Sequence, residues 1–155
     1  MACYLAFDVG ASSGRAILGT VESGRVSLEE IHRFPNGGVD IGGHLYWNIL
    51  ELYSQVKCGL RKALDCGRPL SGLAIDTWGV DFALIDRNGE FMGFPRHYRD
   101  PRTTDIMPEL YAKVPREQLY RTTGIQMMHI NTVAQLTAMQ KAHDTCLDNA
   151  DKLLM

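Results

Sequence analysis

The sequence predicts a mixed α/β fold, in which three antiparallel strands come first and a helix and a parallel strand follow. Short β-patterned segments separated by turn residues occupy most of residues 3–34. A single long segment with a helical repeat of apolar residues then covers 48–66. A short apolar run at 73–75 comes soon after it, and such runs are typical of strands buried inside a sheet.

The first three strands form the predicted start of the sheet. The apolar run at 3–7 has no polar interruption, which predicts a central strand covered on both faces. Ser23-Gly24 is a two-residue hairpin signal, and the alternation breaks at Glu29-Glu30, which indicates a β-bulge. We expect the second and third strands at 15–22 and 25–34.

The helix predicted over 48–66 has clear signals at both ends. Asn48 is a typical N-cap residue, and Glu51 stands three positions later, as a capping box requires. Gly67 follows the last helical residue, where glycine commonly ends a helix. Residues 35–44 are rich in glycine, so we expect a loop before the helix.

The remaining elements are shorter. Asp100-Pro101 predicts the start of a helix, because Pro is favoured at the first helical position behind an Asp cap. Thr132 and Gln135 have the spacing of a second capping box. We expect strands at 70–76, 80–86 and 90–92, helices at 101–114, 115–124 and 132–143, and the opening of a strand at 153–155.

This order of elements is typical of the ribonuclease-H-like sheet used by the actin-like ATPase superfamily, which includes sugar kinases. The length of 155 residues favours one domain. Sixteen Lys+Arg against 18 Asp+Glu give a formal net charge of -2. A broad nucleic-acid-binding surface needs a basic surplus, so we expect no nucleic-acid partner.

The cysteines and the apolar segments indicate in which cellular compartment we expect the protein. The four cysteines have neither the spacing of a zinc site nor the density of a disulfide framework. The chain has no run of ~18 apolar residues that would span a membrane, and its N-terminus has no basic region typical of a signal peptide. We therefore expect a soluble, cytoplasmic protein with reduced thiols and no membrane partner.

Residues 8–15, DVGASSGR, carry the first chemical signal. Gly10 and Gly14 permit positive φ and close backbone approach, and successive N–H groups in such a turn point into one concavity that suits an anion. Arg15 adds a cation for phosphate, and Asp8 adds a carboxylate that suits phosphate-bound Mg²⁺. The segment matches neither the P-loop nor the Rossmann pattern. From the residues alone, an ordinary Gly/Ser hairpin with a solvated acid and base remains the alternative.

Residues 75–82, IDTWGVDF, carry the second signal. Asp76 and Asp81 flank a glycine turn at a strand end, where ligands of α/β sheets bind. Their carboxylates suit sugar hydroxyls, Trp78 would cover a sugar face, and Gly79 would let the backbone come close. A tight turn with a core tryptophan and two exposed acids is the alternative.

Residues 98–103 form a third segment, and its chemical signal is weaker. Tyr98 and Arg99 precede the capped helix, so we expect them at a rim. Asp100 is interpreted as a cap rather than a catalytic acid. The five histidines have no metal-binding spacing, and structural roles are expected for them.

Four segments in this order resemble the N-terminal part of the FGGY carbohydrate kinase family, and within it the rhamnulokinases. They are DVGASSGR, IDTWGVDF, YRDPRT and TTGIQ. The resemblance covers essentially the whole chain. It implies two actin-like lobes with a cleft between them. It also implies that ATP phosphorylates L-rhamnulose to L-rhamnulose 1-phosphate, in rhamnose catabolism.

The resemblance also implies roles for individual residues. Gly79 would contact the sugar, and Asp8 would lie near Mg²⁺ and the phosphates. The ATP-binding residues would be Ala11, Ser12, Ser13, Gly14 and Arg15, and the sugar pocket would include Asp76, Thr77, Trp78 and Tyr98 beside Gly79.

The family chain is much longer than 155 residues. Its catalytic Asp, which is the base, and its second lobe come after the matching part. We therefore expect 1–155 to be a truncated N-terminal domain, inactive alone, whose missing partner is the C-terminal lobe of the same polypeptide. A ribonuclease-H-like nuclease related to Holliday-junction resolvases is the main alternative, because Asp8 and Asp76 could hold part of a two-metal site. A non-catalytic nucleotide-binding module is the other.

Overall fold

The computed structural model describes residues 2–155 and divides the chain into two compact units. The first, here called the sheet unit, comprises Met1–Gly37 and Asn48–Trp78. The second, here called the helical unit, comprises Gly38–Trp47 and Gly79–Met155. The chain enters the helical unit twice, so neither unit is continuous in sequence.

Each unit has its own secondary structure. The sheet unit contains β1 (Ala2–Val9), β2 (Ser13–Glu22), β3 (Arg25–Pro35), α1 (Ile49–Asp65) and β6 (Leu70–Thr77). The helical unit contains β4 (Gly38–Ile41), β5 (His44–Trp47), β7 (Ala83–Ile85), a 3-10 turn (Pro101–Thr103), α2 (Met107–Lys113), α3 (Arg116–Thr123), α4 (Thr132–Lys141), α5 (Thr145–Asn149) and β8 (Lys152–Leu154). None of the helices in residues 2–155 is long and apolar enough to cross a membrane.

The sheet has the strand order β3-β2-β1-β6. The first three strands pair antiparallel, and β6 lies parallel beside β1. The predicted order and directions are therefore confirmed. The Ser23-Gly24 hairpin is also confirmed, because both residues have positive φ, 49° and 75°, as a two-residue turn of the favoured hand requires. The register shifts where Ala16 and Ile17 face His32 and Glu30, which places the predicted bulge at Ile31.

Helix α1 begins and ends where its sequence signals indicate. The Asn48 side chain accepts a hydrogen bond from the backbone N–H of Glu51, at 3.2 Å. The helix packs on one face of β1, β2 and β3, and Gly59 permits this close packing, because a Cβ there would lie 2.7 Å from the Phe7 ring. Burying a side chain such as Phe7 or Leu5 stabilises the fold by about 1.5–3 kcal/mol.

The opposite face of β1 corrects one prediction. The uninterrupted apolar run predicts burial on both faces, but among the described residues only the α1 face is covered. Cys3, Leu5 and Phe7 are buried there, whereas Tyr4 and Ala6 on the other face are exposed. A short apolar run does not distinguish one covered face from two, because alanine and tyrosine occur on both kinds of surface.

The helical unit corrects the prediction of a loop at 35–44. This segment contains β4 and most of the β4–β5 hairpin, closed by Gly42-Gly43. Both glycines have positive φ, 62° and 81°. Gly-Gly is a two-residue hairpin signal of the same kind as Ser23-Gly24, so the sequence contained this turn although the prediction missed it.

The helix predicted over 101–114 is in fact two elements, the 3-10 turn and α2. Pro108 explains the break, because proline lacks an N–H and its ring clashes with the carbonyl four residues earlier. The helix expected over 115–124 is confirmed as α3, which ends at Gly124. Helix α5 was not predicted, and β8 pairs antiparallel with β7.

Two strand predictions in the helical unit are wrong in extent. The strand expected over 80–86 is reduced to β7, and that over 90–92 is a single bridge between Phe91 and Ile85. The capping box at Thr132 and Gln135 is also wrong. Asn131 is the N-cap of α4, and it makes no side-chain capping bond. The side chains of Thr132 and Gln135 instead donate hydrogen bonds to the Val80 carbonyl, in the segment before β7.

Candidate functional site

The turn between β1 and β2 presents backbone donors. The Gly10 N–H donates to the Ser13 carbonyl at 2.9 Å, which closes the turn. Within residues 2–155, the N–H groups of Ala11 and Ser12 have no hydrogen-bond partner. Ser12 is exposed, and Ala11 is half-buried. A turn with successive free N–H groups is suited to an anion such as phosphate.

The two glycines of this motif have a different role from the predicted one. Neither Gly10 nor Gly14 has positive φ, so the expectation of left-handed backbone is wrong. A Cβ at Gly14 would lie 2.1 Å from Cζ of Phe34, the residue opposite it on β3, so glycine is needed here for packing within the chain. Phe34 is buried beneath the turn. Gly14 therefore allows an aromatic ring to support the turn from one side.

Charged side chains form a row across the sheet beside this turn. Asp8 on β1 lies opposite Arg15 on β2, and the two form an ion pair. Arg33 faces Arg15 from β3, and Asp76 faces Asp8 from β6. Residues paired in register share one face of a sheet, so the four charges lie together in the order Arg33, Arg15, Asp8, Asp76.

This row of charged side chains contributes little to the stability of the fold. The side chains of Asp8 and Arg15 are 47% and 41% exposed, and an exposed ion pair contributes about 0–1 kcal/mol. Arg33 is held by two hydrogen bonds to Glu30, at 2.9 and 2.6 Å. The Arg33 side-chain hydrogen bond lowers the pKa of Glu30. Glu30 thus partly offsets Arg33, whereas Arg15 and Asp8 remain accessible to a ligand beside free N–H donors.

The residues of the second motif fall at the end of β6 and beyond it. Asp76 and Thr77 are exposed at the carboxyl end of β6. Trp78 is half-buried and packs against the hydrophobic core of the sheet unit. The core contact that the alternative interpretation predicts for Trp78 is thus present in part.

Gly79, the first residue after the sheet unit, has open space around it. No described atom lies within 4 Å of the position a Cβ would occupy, and φ is not positive. Neither packing nor backbone conformation within the chain therefore requires glycine at this position. A ligand that approaches the backbone closely would still require glycine at this position.

Asp81 has a structural role. Its Oδ2 accepts a hydrogen bond from the Trp47 indole N–H at 2.6 Å, and its Oδ1 accepts one from Gln135 at 3.0 Å. The Val80 carbonyl accepts hydrogen bonds from Thr132 and Gln135, at 2.8 and 3.0 Å. These contacts hold the segment that follows Gly79. The expectation that Asp81 offers a free carboxylate to a sugar is therefore corrected.

Gln135 was missed as a residue of this region. It is 1% exposed, and its amide also accepts from the Arg102 guanidinium at 2.6 Å. A buried glutamine costs stability unless its donors and acceptors are satisfied. Gln135 satisfies both by joining Arg102 to Asp81. Its spacing from Thr132 predicts a helix cap, and only the tertiary structure shows that Gln135 joins Arg102 to Asp81.

Tyr98 lies in an aromatic cluster of the helical unit. The Trp47 and His97 rings stack with their centroids 4.0 Å apart, and the Tyr98 ring is 4.5 Å from that of His97. The Arg99 guanidinium lies 5.3 Å from the Tyr98 ring centroid. Burial lowers the pKa of His97 below the ordinary value of a histidine.

Asp100 is confirmed as a cap. Its side chain accepts from the backbone N–H groups of Leu45 and Arg102, at 2.8 and 3.1 Å. Burial alone would raise the pKa of Asp100, but these two N–H donors and the guanidinium groups of Arg102 and Arg96 outweigh burial and lower it. A carboxylate engaged in this way is unsuited to proton transfer.

The other reactive side chains form no site. Cys3, Cys58, Cys66 and Cys146 form no disulfide within residues 2–155. Within residues 2–155, no three His, Cys, Asp or Glu side chains converge as metal ligands would. A cavity of about 400 Å³ lies within the helical unit, beside Phe82, Arg96 and Met139, but none of the predicted sugar-site residues lines it.

The family model for the N-terminal domain of the FGGY family of carbohydrate kinases matches residues 3–155. The chain belongs to this family. The match covers both units, including the turn with free N–H donors and the Gly79 segment.

Relatives and solved structures agree with this assignment. The chain is 42% identical over 151 residues to "Rhamnulokinase" of Bacteroides thetaiotaomicron, which covers 97% of this chain and 31% of that protein. It is 43% identical over 152 residues to "Rhamnulokinase" of Mannheimia succiniciproducens, with 97% and 32% covered. A ligand-bound xylulose kinase from Lactobacillus acidophilus superposes with a TM-score of 0.83 at 12% identity, covering 99% of this chain and 31% of that one. The chain thus spans about a third of the length of its curated relatives, and the predicted fold class is confirmed.

Proposed function

We propose that this chain provides the phosphate-binding part of an ATP-dependent sugar kinase that converts L-rhamnulose to L-rhamnulose 1-phosphate. The observation that carries the proposal is the turn at Ala11 and Ser12, whose free N–H groups lie beside Arg15. The choice of sugar is supported by the names of relatives about 40% identical over the whole chain. Use of cytosolic ATP would place the enzyme in the cytoplasm.

The turn is proposed to hold the transferring phosphates of ATP. The N–H groups of Ala11 and Ser12 would donate to phosphate oxygens, and Arg15 would add a charge-assisted donor. Phosphoryl transfer depends chiefly on positioning and electrostatic stabilisation of charge on the phosphate oxygens. Donors fixed before the substrate binds provide both. The full set of proposed ATP-binding residues is Ala11, Ser12, Ser13, Gly14 and Arg15.

The carboxylates beside the turn fit a magnesium ion. Mg²⁺ is usually held by one or two carboxylates together with substrate phosphates rather than by a complete protein cage. Asp8 is half exposed next to the turn, and Asp76 faces it across the strand pair. Asp8 would hold the ion, which when bound supplies positive charge to the phosphates. Arg15, the present ion-pair partner of Asp8, would then be available to the nucleotide.

The sugar is proposed to contact the segment at the end of β6. Gly79 would face the sugar directly, since no described atom occupies the space of a side chain there. Asp76, Thr77 and Trp78 of the sheet unit are proposed as further sugar-binding residues, and so is Tyr98 of the helical unit. No residue of 2–155 is assigned as the base. We propose that the base belongs to the region of the relatives that this chain does not cover.

The experiment uses the protein expressed from its complete reading frame. Arg15→Ala should raise the KM for ATP, and Asp8→Asn should lower kcat more than it changes ATP affinity, because Asp8 is assigned to the ion at the transferring phosphate. Arg25→Ala is the matched control, since Arg25 is exposed at the opposite end of β3. If both loop variants have the kinetics of the control, the phosphate-site assignment is wrong.

The sugar side is tested by Gly79→Val. The added side chain should raise the KM for L-rhamnulose strongly and leave the KM for ATP nearly unchanged. Equal effects on both values would indicate a general disturbance of the fold rather than a sugar contact. The product should carry phosphate at O1, which phosphorus-coupled NMR of the product determines. A protein that binds ATP but phosphorylates no sugar would instead support a non-catalytic nucleotide-binding module.

A further inference from the structure

We propose that Asn36 is a positioning residue for the phosphate-binding turn, acting by fixing the direction of the Ala11 N–H. The inference rests on the proposed function, because it concerns how the same turn binds ATP. Asn36 follows β3 directly and lies outside the motif that the sequence singles out.

Asn36 holds the turn through two carbonyl groups. Its side-chain Nδ2 donates to the Gly10 carbonyl at 2.8 Å, and its backbone N–H donates to the Ser12 carbonyl at 3.0 Å. The Asn36 Oδ1 accepts from the Gly37 N–H at 3.0 Å, which fixes the orientation of the amide. The two carbonyls lie on either side of Ala11, so Asn36 holds the turn at both ends of its exposed part.

Because a peptide group is planar, these two hydrogen bonds also determine where the N–H groups of the same peptides point. The described chain contains no cis peptide bond, and in a planar trans peptide the C=O and the N–H point in opposite directions. The Gly10 carbonyl and the Ala11 N–H belong to one peptide group. With that carbonyl directed at Asn36, the Ala11 N–H points away from Asn36. The Ser12 carbonyl fixes the Ser13 N–H in the same manner.

The free Ala11 N–H therefore owes its orientation to a residue distant in sequence. Without the Nδ2 bond, the Gly10–Ala11 peptide is free to rotate, and its carbonyl can turn toward the ligand side. A carbonyl oxygen there would repel phosphate and remove a donor at the same time. A donor fixed in advance binds more tightly than one that must be ordered on binding.

The amide is specifically required for this role. An aspartate at position 36 has nearly the same shape but places an oxygen against the Gly10 carbonyl and adds a negative charge near the phosphates. A glutamine keeps the donor on an arm one carbon longer. The order expected for ATP affinity is therefore Asn, then Gln, then Ala, then Asp.

The test measures ATP dissociation constants and thermal unfolding on the protein expressed from its complete reading frame, in the presence of Mg²⁺. Asn36→Ala should weaken ATP binding about five- to tenfold, a usual consequence of losing one hydrogen bond. The KM for the sugar should stay within about twofold, because Asn36 is not among the residues proposed to bind the sugar. Asn88→Ala is the matched control, since Asn88 makes a similar side-chain hydrogen bond, to Asp86, in an exposed turn of the helical unit.

The outcomes separate this inference from the proposed function. If the wild-type protein binds ATP and Asn36→Ala binds it equally well, Asn36 has only a structural role and the inference is wrong. If the melting temperature falls but ATP affinity does not, the same conclusion follows. If Asn36→Ala is insoluble, Asn36→Gln decides, with a two- to threefold loss of affinity about as expected and no loss contradicting the inference. If the wild-type protein binds no ATP, the proposed function fails and the inference fails with it.

Discussion

Replacing Gly14 by alanine tests how the phosphate-binding turn is supported. The new Cβ would lie 2.1, 2.4 and 2.8 Å from three carbons of the Phe34 ring. Ordinary carbon–carbon contacts are about 3.5–4.0 Å, so the ring or the strand must move by roughly 1.5 Å. Phe34 is 1% exposed and belongs to the core of the sheet unit, which leaves the ring little room to move.

The expected cost of Gly14→Ala is that of overpacking a core, about 1–3 kcal/mol. For a domain of this size, each 1 kcal/mol lowers the melting temperature by roughly 2–4 °C. We therefore expect thermal unfolding several degrees below wild type, with weaker ATP binding because the turn is displaced. Gly37→Ala is the matched control, since a Cβ there meets no atom within 4 Å and φ is not positive.

A double-mutant cycle assigns the effect to the ring. Phe34→Leu in the Gly14→Ala background should recover part of the lost stability, so the two changes should be less than additive. The reasoning is refuted if Gly14→Ala unfolds at the same temperature as Gly37→Ala, or if the two changes at positions 14 and 34 are simply additive.

Two further predictions concern the helical unit. Gln135→Ala should destabilise the fold by about 1–3 kcal/mol, because it removes one buried donor from Asp81 and one from the Val80 carbonyl. Gln140→Ala, exposed on the same helix, should change denaturant midpoints little. Burial lowers the pKa of His97 in the folded protein, so His97 binds a proton more readily in the unfolded chain. The free energy of unfolding should therefore fall as the pH drops below about 6.5, and this fall should end once the pH is below the folded-state pKa of His97. His97→Gln should flatten that dependence in urea titrations from pH 7.5 to 5, whereas substituting exposed His129 should not.

Local patterns were sufficient for most of the sheet unit. The Ser23-Gly24 turn, the bulge at Ile31 and the Asn48 cap all depend on residues close in sequence, and each is confirmed. The Gly42-Gly43 hairpin was equally local, but its strands are only four residues long, so the alternation beside the turn extends over only a few residues.

The sequence predicted which residues form the candidate site, but it predicted their roles less well. The DVGASSGR segment forms the turn with free N–H groups, yet Gly14 is needed for the Phe34 ring and not for positive φ. Asp81, interpreted as a ligand for sugar, is held by Trp47 and Gln135. Such roles depend on which side chains distant in sequence meet, and no short pattern records that. Asn36 was missed for the same reason, since its contact with Gly10 follows from the β2–β3 register.

We propose that the kinase containing this chain is specific for L-rhamnulose. The most direct measurement is kcat/KM for L-rhamnulose, D-xylulose and glycerol with ATP, using the protein expressed from its complete reading frame. D-Xylulose is the informative competitor, because a xylulose kinase shares the fold at 12% identity, whereas relatives at about 42% identity carry the rhamnulokinase name. We expect L-rhamnulose to be preferred by about two orders of magnitude or more, which corresponds to roughly 2.7 kcal/mol of differential transition-state binding. Equal or better use of D-xylulose or glycerol, or no phosphorylation of any of the three, would contradict the claim.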